Sequence, residues 1–131
     1  MKNIVLVVLI LIAPWAFADQ SSSMQSATQW LNLVDNGKYD ASWQHADTLF
    51  QSQLSMSKWN DALKGSRTPL GQVVERTIIS RNAFQSLPGV PDGEYLILQF
   101  STQFAHKQSA VETLTLSKDS GQWLPVGYFI N

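Results

Sequence analysis

The sequence predicts an α+β domain: N-terminal helices packed on one face of a curved four-stranded antiparallel meander sheet. Three observations predict it. Apolar residues recur at helical spacing as far as Leu63, and after Gly71 they recur in β-branched or alternating stretches. Between the halves stands Arg67-Thr68-Pro69-Leu70-Gly71, where proline and glycine together end the helical region.

Residues 1–18, MKNIVLVVLILIAPWAFA, have the make-up of an export leader. Lys2 gives the positive start, Ile4 to Ala13 the apolar run, and Ala16-Phe17-Ala18 the small-x-small cleavage pattern. The apolar run is too short for a bilayer span and Pro14 interrupts it, so cleavage after Ala18 is expected rather than a stable membrane anchor. The mature protein is then periplasmic or secreted. The chain has no cysteine, so it offers no thiol for a lipid and no disulfide, and packing must supply the stability. A flexible lead-in is expected over residues 19–23, and a single domain over 24–131.

Met24, Ala27, Trp30, Leu31 and Val34 mark the first helix, with Ser22 or Ser23 as its N-cap and Asn36-Gly37 as its stop. A short second helix is expected over Asp40–Ala46, with Tyr39, Trp43, Ala46 and Phe50 along its apolar stripe. A third, capped by Ser55 or Ser57, carries Trp59, Ala62 and Leu63 and ends at Gly65. Asp35 and Asp40 suit a helix end and a helix start. The tryptophans at 30, 43 and 59 fall one to each helix and suit core anchors; stacking on a ligand is the alternative role for Trp30 and Trp43.

Gln72–Phe84 is rich in β-branched residues and predicts the first strand. Pro91–Leu116 predicts a long hairpin. Its even positions, Leu96, Leu98, Phe100, Thr102 and Phe104, face the core, and its odd positions, Tyr95, Ile97, Gln99, Ser101 and Gln103, face water. Matching apolar faces sets Phe104 opposite Ala110, Phe100 opposite Leu114 and Thr102 opposite Glu112, with a three-residue turn at His106-Lys107-Gln108. Tyr95 and Ile97 would leave a moderately apolar patch on the wet face, a candidate surface for a protein partner or a homodimer. The last strand, Trp123–Ile130, follows a turn at Asp119-Ser120-Gly121, and Pro125 makes it an edge.

A net charge of −1 excludes the basic patch that nucleic acid or an acidic membrane surface requires. With two histidines far apart in sequence and no cysteine, no metal-binding spacing exists and no cofactor is implied. There is no glycine-rich phosphate loop and no nucleophile elbow.

Several runs together resemble a known family. They are Arg67-x-Pro69-Leu70-Gly71, Leu87-Pro88-Gly89-x-Pro91-Asp92-Gly93-Glu94-Tyr95, Phe104-Ala105-x-Lys107, Val111-Glu112-Thr113, and Gly121-x-Trp123 with Gly127-Tyr128-Phe129. Over about residues 27 to 130 the chain resembles the bacterial family called domain of unknown function 4019, from which it departs at Pro125. The resemblance implies no activity. The order of elements is also similar to the cystatin-like, cone-shaped folds of nuclear transport factor 2 and ketosteroid isomerase, which host enzymes and binding modules alike.

One carboxylate stands out. Glu112 shares the parity of Leu114 and Leu116 and so points to the core, where it must be paired or lie in a cavity. If Ile78 faces Phe100 and Val74 faces Phe104, Arg76 falls opposite Thr102 in a row with Glu112, and a partly buried Arg76–Glu112 ion pair is expected. The alternative is a pocket acid or base, with solvated His106 at the hairpin tip a weaker candidate and His45 on an exposed helix side. Two functions follow. One is a non-catalytic periplasmic module binding a small ligand or protein; the other is a small acid/base enzyme acting through Glu112. An arginine sealing Glu112, or an open cavity beside it, separates them.

Overall fold

A computed structural model describes the backbone of residues 15–131 and the side chains of residues 20–131. The leader's Lys2 and apolar run lie outside the described residues. Four α-helices come first: α1 (Trp15–Asp35), α2 (Tyr39–Gln44), α3 (Thr48–Gln53) and α4 (Met56–Ser66). A 3₁₀ turn at Thr68–Leu70 leads into β1 (Val73–Phe84), β2 (Tyr95–Phe104), β3 (Lys107–Ser117) and β4 (Leu124–Ile130). The strands form one antiparallel sheet in the order β1-β2-β3-β4, an α+β arrangement with helices ahead of an open sheet.

Helix α1 starts earlier than the serines suggest. It begins at Trp15, so residues 19–23 are helical rather than a lead-in, and Ser22 and Ser23 lie inside it rather than at its cap. Ser23 is buried; its hydroxyl donates to the Gln20 carbonyl at 3.0 Å and accepts from Arg81 Nη2 at 3.1 Å. The far end is a Schellman stop. Gly37, at φ +71°, donates to the Val34 carbonyl at 3.1 Å, and Lys38 donates to the Leu33 carbonyl at 2.8 Å.

Where one second helix was expected, there are two. Asp47 accepts from Leu49 N at 2.8 Å and so caps α3, while its own N–H donates to the Pro125 carbonyl at 2.8 Å and ties the α2–α3 junction to β4. Helix α4 is capped by Ser55, which accepts from Lys58 N at 3.2 Å, and it runs past Gly65 to Ser66. The core lies between α1, α4 and the even face of the hairpin. Ala27, Trp30, Leu31, Val34, Trp59 and Leu63 meet Leu96, Leu98, Phe100, Leu114 and Leu116, all nearly inaccessible. Each large side chain so buried is worth about 1.5–3 kcal/mol against exposure.

Bulges set the register. The hairpin turn is two residues, Ala105-His106, and not His106–Gln108. Phe104 pairs with Lys107, and beyond the bulge Thr102 pairs with Ala110 and Phe100 with Glu112, two residues from the expected alignment. An extra residue on β3, between Lys107 and Ala110, lets a tight turn coexist with the buried even face. The shift is even, so every side chain keeps its face. On β1 the extra residues are Val74 and Ile79, so Val73 rather than Val74 pairs with Phe104. These two are the most exposed apolar side chains of β1, at 61% and 55%. They break an otherwise open edge, as edge bulges do against stray strand pairing. Strand β4 is the other edge, with Val126 as its extra residue next to Pro125.

Candidate functional site

The buried charges converge on Glu112. Its side chain is fully inaccessible, and four donors fill its carboxylate. Arg76 Nε reaches Oε1 at 2.7 Å and Arg76 Nη2 reaches Oε2 at 3.2 Å. The Thr102 hydroxyl donates to Oε1 at 2.5 Å and the Tyr128 hydroxyl donates to Oε2. Thr102 is diagonal to Glu112 rather than opposite it, and its short side chain still reaches.

Arg76 turns its other edge to Asp35, with both Nη–Oδ distances at 2.9 Å. Asp35 also meets Arg67 Nη2 at 3.3 Å, so it serves an ion-pair chain at the end of α1 rather than a cap. Arg67 donates from Nη1 to the Gly71 carbonyl at 2.6 Å and lies 4.6 Å over the Phe104 ring. The chain of two arginines and two carboxylates is neutral overall, the condition for burying it.

Such a carboxylate has no free lone pair to offer a substrate and no path to one. Burial opposes the Arg76 charge, but its hydrogen bonds to Asp35 and Glu112 and their negative charge outweigh burial and hold the guanidinium well above the usual arginine range. Burial, then the Glu112 charge and hydrogen bond, push the Tyr128 hydroxyl far above the usual phenol range. The sign for stability follows. The unfolded tyrosine gives up its proton near pH 10 while the folded one keeps it, so this contribution is full below about pH 10 and falls above it. Urea midpoints measured through that range should fall more steeply for the native protein than for Tyr128→Phe; equal slopes would show that the hydroxyl is not held.

The other candidate residues lie apart. His106 is exposed at the hairpin tip. Its N–H donates to the Leu70 carbonyl at 2.9 Å, and its ring packs so closely on Gly71, at φ +76°, that a Cβ there would lie 2.8 Å from it. Trp43 is half-buried, with Nε1 donating to the Leu54 carbonyl at 2.7 Å. Tyr95 is not exposed: it is 1% accessible, and its hydroxyl donates to the Pro91 carbonyl. The entry loop folds back over the ring, which alternation alone does not reveal. Ile97 is half-buried, and the exposed apolar residues of the sheet are instead Val74, Ile78, Ile79, Phe84 and Phe129.

The open space is elsewhere, in a cleft of about 640 Å³ between α1 and the β3–β4 turn. One wall is the α1 face bearing Ser22, Gln25, Ser26 and Gln29 above Trp30. The other is the turn from Lys118 to Pro125, with His45 at one end. A second hollow of about 410 Å³ lies beyond Trp123, between it and Arg81, Phe84 and Leu96. Trp123 belongs to both walls. Glu112 lines neither. Sequence reasoning missed Gln25, Gln29, Gln122 and Trp123. The available signal was residues 20–34, which contain no charged side chain although half of that helix faces outward.

Among the described residues no three His, Cys, Asp or Glu side chains could hold a metal ion. No described helix is long and apolar enough to cross a membrane. The family model described as protein of unknown function (DUF4019) matches residues 26–128. No curated protein matches the chain.

Proposed function

The chain belongs to the DUF4019 family, whose description states no activity, and we propose that it is a non-catalytic binding module of the bacterial cell envelope. The observation that supports this best is the state of Glu112. The one carboxylate on the core face of the sheet is filled by Arg76, Thr102 and Tyr128, whereas the cleft between α1 and the β3–β4 turn stands open, with no ionisable pair among the described residues facing a common point. Helices lying on one face of an antiparallel meander favour a cone like that of nuclear transport factor 2 and ketosteroid isomerase, here with its carboxylate plugged by an arginine.

The test is a two-dimensional NMR screen of the labelled protein. Saccharides, amino acids, small anions and apolar fragments are added in turn, and the Gln25, Gln29 and Gln122 side-chain amides and the Trp123 indole are followed. At least one class should move them together. A cleft silent to every class would end this reading.

Export rests on the leader. Cleavage after Ala18 would leave Ser23, Ala27, Trp30, Leu31 and Val34, the buried residues of α1, in the mature chain. The intact mass of the periplasmic fraction should correspond to a chain beginning at Asp19; a membrane-bound product that retains Lys2 would refute it.

A further inference from the structure

We infer that the cleft between α1 and the β3–β4 turn is a saccharide site, held chiefly by the side-chain amides of Gln25, Gln29 and Gln122. This rests on the binding reading above and specifies its ligand. Among the described residues the lining has five amide or hydroxyl side chains, Ser22, Gln25, Ser26, Gln29 and Gln122, and no carboxylate. Gln25, Ser26 and Gln29 occupy adjacent turns of α1 and point the same way. The amides of Gln25, Gln29 and Gln122 make no hydrogen bond to the described residues, so each offers two donors and an acceptor to whatever enters.

An exposed helix face is ordinarily charged, and this one is neutral from residue 20 to residue 34. Neutral groups that both donate and accept match a ligand whose own groups do the same, which is the chemistry of a polyol. They also cost far less to desolvate than charges do. Beneath them, Leu33, Leu124 and Pro125 supply apolar surface for the C–H faces of a sugar ring.

Other classes fit less well. A strand-forming peptide needs a free β4 edge, but Pro125 has no N–H and its carbonyl already accepts from Asp47 N at 2.8 Å. A compact anion needs converging cationic donors, and Lys118 is drawn over the Trp123 ring, 5.6 Å from its centroid. A wholly apolar ligand would leave the side-chain amides of Gln25, Gln29 and Gln122 unanswered.

The experiment is an NMR titration of the full mature protein with maltose and with N,N′-diacetylchitobiose, which separate plain hydroxyl from acetamido recognition. At least one should shift the Gln25, Gln29 and Gln122 amide signals together. In the double variant Gln25→Ala, Gln29→Ala the dissociation constant should rise about tenfold, the loss expected from two hydrogen bonds. Both positions are exposed, and alanine is a good helix former, so the variant should fold. Shifts that map away from the cleft, or a variant that binds as well as the native protein, would overturn the proposal. A cleft that ignores both sugars but responds to inorganic phosphate or to a tripeptide would overturn the saccharide assignment and leave the binding reading standing. Silence to all four probes would overturn the saccharide assignment, and silence to apolar fragments as well would overturn both.

Discussion

Arg76→Met and Glu112→Leu should each lower the unfolding free energy by about 3–5 kcal/mol, because each strands a charge or hydroxyls that cannot reach water. Without Arg76, the fully buried Glu112 keeps only two hydroxyl donors, and Asp35 keeps only Arg67. Without Glu112, Arg76 retains Asp35, but Thr102 and Tyr128 lose their acceptor. The double variant removes donor and acceptor together, so its loss should fall well short of the summed singles, with a coupling of about 1–3 kcal/mol. Urea midpoints of the four proteins measure this directly. Strictly additive losses would mean that Glu112 is not held by Arg76 and would restore it as a pocket acid.

Trp30→Ala should cost about 3–5 kcal/mol, the range for an aromatic deleted from a packed core. Trp30 is 3% accessible, packs at 6.1 Å from Trp59 and edge-on at 5.4 Å to Tyr128, and donates from Nε1 to the Ser42 carbonyl at 2.7 Å. The substitution therefore opens a cavity and leaves a buried carbonyl unpaired. The same deletion at Trp43, which is half-buried at the edge of the core, should cost less. If Trp30→Ala left the urea midpoint unchanged, the ring would be a ligand platform and not the pillar on which α1, α4 and β4 meet.

Much of this architecture was legible because it depends on local pattern. The period-two alternation of Leu96, Leu98 and Phe100 fixes which side of β2 is buried whatever the exact register, since the hairpin shift is an even number of residues. Gly37 stops α1, and Ser55 starts α4, through chemistry confined to a few neighbouring residues. The parity of Glu112 puts its carboxylate on the helix-covered face, and the long Arg76 side chain on the neighbouring strand system brings a guanidinium within 2.7 Å.

What was not legible depends on residues distant in sequence. Asp35 looked like a helix end because its neighbours are α1; its partners Arg67 and Arg76 arrive from more than thirty residues away. Tyr95 looked exposed by alternation, and the Pro91 loop buries it. Val74, Ile79 and Val126 are extra residues that no period reveals, because a bulge is selected by the twist and closure of the whole sheet.

The amino-acid sequence by itself determined the α+β class, the break at Pro69–Gly71, the faces of the strands and the neutral stretch of α1, all set by spacing and side-chain type. Only the tertiary structure decided that Glu112 is sealed and that the open space lies instead between α1 and the Lys118–Pro125 turn. The physical reason is that a cavity is the room left after packing. It belongs to no segment, and appears only once helix, turn and sheet have taken their places.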